Sequence, residues 1–360
     1  MLVITRHHDL SLSLPSSFLL LPFLLLTLLS KNCHAAPNWC DNANTIASWS
    51  GSHTLPTSSE CALPSPVEVE WGTSLDLSAA AAPAATLYST DRSTVHFYVR
   101  GELTLTDLIL ESGLGSALVI QGLPLGDRAG GFPAPRATLL RSTVRGCTTS
   151  LHTSRGGAAV FATGLGVSLV LEGSTFEDNV AHGTAASGGA ILATAGVTVE
   201  VRSSTFHNNS ATGSGGAIAC LGCHSVVVLG NSRFEKNQAA LNGGAFAVVD
   251  ALAYTTPTST GALFLGNEAV LGNGGAVFVH DASGQGAWTS RGDLFRGNNA
   301  TTGSGGALAA VGTKVTLAEA SRCTGNHALL GVGGCIFWEP LTVTRDAEAW
   351  DRLAPDLKNT

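Results

Sequence analysis

The chain has 360 residues, with 19 Lys plus Arg, 26 Asp plus Glu and a formal net charge of -7. This acidic balance disfavours a nucleic-acid partner, which needs a basic footprint. A charged share of only 12% argues against a coiled coil or charged bundle, and 44% apolar residues argue against disorder.

Residues 1–35 read as a secretory signal. Arg6, His7 and His8 form a weakly basic start, and Phe18 to Leu29 is an apolar core too short for a comfortable membrane span. Pro22 lies inside that run, and Ala35-Ala36 offers small residues for cleavage. No later stretch reaches spanning length, so the mature chain is expected to have no transmembrane segment and to work outside the cytoplasm or at a cell surface. Cleavage leaves Cys40, Cys61, Cys147, Cys220, Cys223, Cys323 and Cys335, an odd set. In an oxidising compartment at least one thiol then stays free or pairs between chains. Cys40 with Cys61 is the pair expected to staple the N-terminal segment.

Residues 36–90, with the run Ala79 to Ala85, read as an N-terminal cap and Ala/Pro linker. Early turns follow at Val95 to Leu110, where Leu103, Leu105, Leu108 and Leu110 are spaced for strand packing, and Gly122 to Pro135 reads as a projecting loop. A repeat then dominates the chain. Phe176 and Asn179 precede Gly188-Gly189-Ala190; Phe206 and Asn209 precede Gly215-Gly216-Ala217; Phe234 and Asn237 precede Gly243-Gly244-Ala245. Phe264 and Asn267 precede Gly274-Gly275-Ala276, and Phe295 and Asn298 precede Gly305-Gly306-Ala307. A degenerate copy runs from Cys323 and Asn326 to Gly333-Gly334-Cys335, and a weaker one begins at Val144. Successive copies are 28 to 32 residues apart.

Between the motifs lie β-rich runs such as Val197 to Val201 and Ser225 to Leu229, with no helical period. About 30 residues suit one solenoid turn, whose apolar face is buried only by its neighbours. The expected fold is all-β: a single-stranded, right-handed parallel β-helix of about seven or eight turns over 91–340, with clear repeats over 144–337. In-register stacking predicts an interior Phe file, an Asn ladder, glycine bends closed to other residues, and a small-residue column. Residues 341–360 read as a C-terminal cap, with Thr344 to Leu353 as an amphipathic helix.

The pairing of Phe-x-x-Asn with Gly-Gly-Ala-(Ile/Leu/Val) resembles the repeat of the chlamydial polymorphic outer membrane proteins. The chain is also similar to pectin-lyase-like right-handed β-helix proteins of algae and protists. The first resemblance implies a surface-exposed passenger used in adhesion, with the repeat motifs as the adhesion-linked residues and an outer-membrane location for family members. Bacterial members end in a translocating β-barrel, and nothing of that kind occurs before Thr360, so autotransport is not expected. The bland alternative is that the motifs only build the solenoid.

A carbohydrate-active lyase or hydrolase is the competing expectation, because such enzymes need two or three convergent carboxylates. Acids are sparse here: stacked turns would bring Glu177 or Asp178 near Glu235, and Asp250 near Asp281. Cys220-Leu221-Gly222-Cys223-His224 has the spacing for covalent haem attachment, yet a local disulfide of Cys220 with Cys223 fits a strand context better. No catalytic residue, metal site or cofactor is assigned. Asn208 and Asn299 head glycosylation sequons beside the ladder positions Asn209 and Asn298. The expected partner is an extracellular polysaccharide or protein.

Overall fold

The computed structural model describes residues 50–340, except for short segments at 57–58, 64, 81–83, 90–94, 112, 124–130, 150–155, 251–256 and 285. The signal segment, Cys40 and the amphipathic run at 344–353 lie outside the described residues. Those residues are all β, with no helix. One coil shows the plan: Thr198–Arg202 lies in wall A, Thr205–His207 in wall B, Ser210–Ala211 in a narrow strip and Ile218–Leu221 in wall C. Each strand pairs in parallel with its counterpart one coil away, so that Val199 lies over Val226, Phe206 over Phe234 and Ile218 over Phe246. The three walls have ten strands each and the strip has six. The fold is a parallel β-solenoid.

Alternation explains the wall strands. In Thr198–Arg202 the valines point inward and are buried, while Thr198, Glu200 and Arg202 face outward. The same rule extends the solenoid towards the N-terminus. Gly51–Leu55, Ser74–Ala79 and Ala85–Ser89 pair in register with later strands, and Leu75, Leu77 and Leu87 are buried. The described strands between 51 and 89 therefore join the walls of the solenoid. Three coils precede the seven that carry the repeat, and their interior is filled mainly by Leu and Val, with Phe97 among the larger side chains.

The phenylalanines form one stacked file. Ring centroids from Phe176 through Phe206, Phe234 and Phe264 to Phe295 are 4.9, 4.9, 5.0 and 4.8 Å apart, close to the rise between parallel strands. The file ends on Val144 at one side and Cys323 at the other. Beside it the asparagines form a closed ladder. Asn209 Oδ1 accepts the Asn179 backbone N–H at 3.2 Å and its Nδ2 at 2.9 Å. Asn209 Nδ2 donates to Phe176 O at 3.0 Å and to Asn237 Oδ1 at 2.9 Å. Each inner carboxamide thus makes all four of its bonds inside the protein, which removes the cost of burying it.

A second ladder runs along the corner between walls A and B. Ser142 N–H donates to Ser174 Oγ at 3.2 Å, Ser174 N–H to Ser204 Oγ at 3.1 Å, and Ser204 N–H to Ser232 Oγ at 3.3 Å. Ala262 breaks the series, and Asp293 takes over the acceptor role, receiving the Ala262 N–H at 2.7 Å and the hydroxyls of Ser259 and Ser290. Burial pushes the Asp293 carboxyl up, against the pull of those donors.

The two glycines of each pair have different tasks. The first, as in Gly215 and Gly243, has φ of 68° and 65°, the left-handed region that favours glycine. The second does not. A Cβ on Gly216 would stand against the Gly244 and Gln238 carbonyls of the next coil, so that position is glycine for close approach of backbones. Only half of each pair meets the expectation of a bend closed to other residues. The alanines that follow, Ala190, Ala217, Ala245, Ala276 and Ala307, are fully buried.

His96 is the anomaly of the early coils. It is fully buried, neither ring nitrogen has a well-formed hydrogen bond, and desolvation lowers its pKa from 6.5 to about 4 despite opposing backbone groups of Glu111 and Leu87. The unfolded chain takes up this proton below pH 6.5 and the native fold only near 4. Stability contributed by the neutral ring is complete above that window and falls as the pH drops through it, by about 3 kcal/mol in total. Equilibrium unfolding of His96→Leu between pH 7 and pH 4 is expected to lack this loss. An unchanged pH slope in the variant would show that other groups set the acid sensitivity.

Candidate functional site

The interior ladders decide what the surface can offer. Phe and Asn of each motif point inward, so the residues between and after them face solvent at the corner of wall B and the strip. The residue two after each Phe position is the apex of the turn. Asp178, Asn208 and Lys236 take φ of 56°, 52° and 54° there, and later coils place Gly266, Gly297 and Gly325 at the same point. Short polar residues and glycine tolerate this region best.

These apices and the strip bound an open groove of about 450 Å³, lined by Asp178, Asn208, Ser210, Lys236, Gln238 and Glu268 among others. Asn208 Nδ2 donates to Asp178 Oδ1 at 2.7 Å and Gln238 Nε2 to Glu268 Oε2 at 2.9 Å. Thr301 Oγ1 also donates to Glu268, at 2.8 Å. Lys236 is exposed and makes no ion pair among the described residues. Along the groove edge a file of polar side chains runs through Glu111, Arg145, Glu177, His207 and Glu235. Arg145 lies 3.2 Å from Glu111 and 3.9 Å from Glu177. The Arg233 guanidinium beside Glu235 holds its carboxyl below the usual range. The groove therefore presents donors, acceptors and one unpaired cation at fixed intervals, an arrangement for binding.

The acids do not converge for acid–base work. His207 separates Glu177 from Glu235, which puts them two coils, roughly 10 Å, apart along the axis. Asp178 and Glu268 are three coils apart. Asp250 and Asp281 do lie on adjacent coils, yet they belong to different networks. Asp250 sits 3.3 Å from His280 and accepts the Ala282 N–H, whereas buried Asp281 is bonded to Ser283. No group of three or more His, Cys, Asp or Glu among the described residues is placed to hold a metal ion. No helix among them is long and apolar enough to cross a membrane, which says nothing of a β-barrel.

The structure places every motif residue of the five clear copies inside. Phe176, Phe206, Phe234, Phe264 and Phe295, with Asn179, Asn209, Asn237, Asn267 and Asn298, are buried, so none can touch a partner directly. Asn326, in the last coil, is half-buried. Cys220 and Cys223 form a disulfide with both residues fully buried, while His224 is exposed. Cys61 is disulfide-bonded as well. Cys147 is a free thiol, buried and pushed up to about 12, and so inert.

Two features escaped the sequence reading. Cys323 stands where other coils have Phe and Cys335 where they have Ala, and these two departures form one disulfide across the final coil. The signal was present, since both cysteines fall in a single degenerate copy. The Ser ladder was also legible, as a serine two residues before Phe176, Phe206 and Phe234 and an aspartate before Phe295.

Fold and site together define a parallel β-solenoid whose repeats build the interior and whose outward corner forms a polar groove. The chain belongs to the right handed beta helix region family, whose model matches residues 135–326. No curated protein matches it in sequence. Among solved structures it is similar to the A-module of mannuronan C-5 epimerase AlgE4 from Azotobacter vinelandii, at 14% identity over 83% of this chain and 93% of that one, with a TM-score of 0.29. A likeness at that level carries nothing about chemistry.

Proposed function

We propose that the protein is a secreted or cell-surface β-helix that engages an extracellular polysaccharide or protein through the groove at the motif corner. This is an adhesion or wall-interaction role of the kind implied by the polymorphic outer membrane protein repeat. The observation that carries the reading is the division of labour within each coil. Motif residues are spent on the interior, while three successive apices at the same corner differ, Asp178, Asn208 and Lys236, with glycine at that point in the coils on either side.

Binding of the full secreted chain to a glycan array and to intact cells tests this. Lys236→Glu is expected to weaken the captured ligand about tenfold, equivalent to about 1.4 kcal/mol, with thermal stability unchanged. Retention of all binding in that variant would move the contact away from the groove, and absence of any ligand would leave the solenoid a purely structural element. Release of unsaturated or reducing ends from polyuronates would replace this reading with a carbohydrate-active enzyme.

A further inference from the structure

The two sequons look alike in sequence and differ in the fold, Asn208 being exposed and Asn299 half-buried. Each starts at an asparagine next to a ladder asparagine, Asn209 inside the first sequon and Asn298 just before the second. In Asn208-Asn209-Ser210 the second asparagine enters the ladder, whereas in Asn298-Asn299 the first one does. That shift of one place decides the fate of the remaining amide. Asn208 precedes the ladder residue, so it takes the turn apex: its φ is 52°, its side chain is exposed, and its Nδ2 donates to Asp178. Asn299 follows the ladder residue, so it opens the strip strand Asn299–Ala300, paired in register with Glu268–Ala269 on one side and His327–Ala328 on the other. Its Nδ2 donates to Thr301 Oγ1 at 3.0 Å and lies 3.4 Å from Glu268, and its Oδ1 is buried.

We infer that Asn208 is an N-glycan acceptor of the folded protein and that Asn299 is not. The inference rests on the secretory reading only in requiring passage through a compartment where N-glycosylation occurs. The reaction there joins Asn208 Nδ2 to the anomeric carbon of a lipid-diphosphate-linked oligosaccharide. The C–N bond forms, the bond from that carbon to the diphosphate oxygen breaks, the lipid diphosphate leaves and the amide nitrogen gives up one proton. At Asn208 the product projects into solvent and only the bond to Asp178 is disturbed. At Asn299 it would displace the Glu268 and Thr301 contacts and meet the neighbouring strip strands, so chains modified there do not complete the coil. A glycan on Asn208 would also stand between Asp178 and Lys236 on the groove wall, narrowing access to it.

The full chain, placed behind a leader sequence of a cultured animal-cell host so that entry does not depend on residues 1–35, is analysed by glycopeptide mass spectrometry in both secreted and cell-retained lumenal material. The expected result is occupancy of Asn208 and an unmodified Asn299 in the secreted chain. Asn208→Gln and Ser210→Ala should each abolish the glycan, and Asn299→Gln should leave it in place. An unoccupied Asn208 in lumenal material, or a glycan on Asn299 in the secreted chain, would overturn the assignment. Because occupancy is read by mass, these outcomes are independent of whether the groove binds any ligand.

Discussion

Replacing Asn237 with leucine is expected to cost the fold about 4 kcal/mol, and the same change at Asn326 no more than about 2. Asn237 sits mid-ladder. Its loss would orphan the buried Asn209 backbone N–H and would strip one bond each from the Phe206 carbonyl and from the Asn209 and Asn267 carboxamides. Each fully orphaned buried group costs about 1–3 kcal/mol. Asn326 serves Asn298 and the Phe295 carbonyl in the same way, but it is half-buried in the last coil and makes no bond to a further carboxamide. Water can reach the groups it leaves. Denaturant unfolding of the two variants measures the difference, and equal losses would contradict a ladder whose members depend on both neighbours.

Phe234→Ala is the other change with a large expected effect, about 5 kcal/mol. Deleting a buried Phe costs about 3–5 kcal/mol through lost transfer energy and the cavity left behind. Phe234 is also stacked on Phe206 and Phe264 and meets Phe246 edge-on at 6.3 Å, contacts worth about 0.5–1.5 kcal/mol per pair beyond area. Phe234→Leu separates these contributions. The file already accommodates aliphatic side chains at Leu110 and Val144, so leucine should fit at a cost of about 1.5 kcal/mol. A leucine variant as unstable as the alanine one would mean that ring stacking, more than filled volume, holds the file.

The solenoid was legible because its energetics repeat. A ring that must lie over a ring and a carboxamide that must reach the next carboxamide impose the same residue at the same phase, and the eye finds phase easily. Residues 51–90 lack both devices. Apolar side chains such as Leu75, Leu77 and Leu87 fill the interior there, and alternation over five residues resembles any strand. The second glycine of each pair was misassigned for a different reason. Its constraint is imposed by a carbonyl of the neighbouring coil, which no local backbone preference announces. The Ser ladder hid in a residue type common in turns, and the Cys323–Cys335 bridge hid in a copy read as decay. The groove itself was the least legible part. Its residues share no identity from coil to coil, and only the buried motif beside them gives their common position.

The register between coils has a consequence for how such a chain can change in length. Each coil offers the following one the same template of ring, carboxamide and glycine, so duplicating a whole segment such as 203–230 should insert one more storey with its bonds already matched. Adding or deleting a single residue inside a wall strand would instead turn its inward side chains outward. Gene copies that grow or shrink by complete storeys would thus yield folded proteins of graded reach, each exposing a fresh outward corner to diversify.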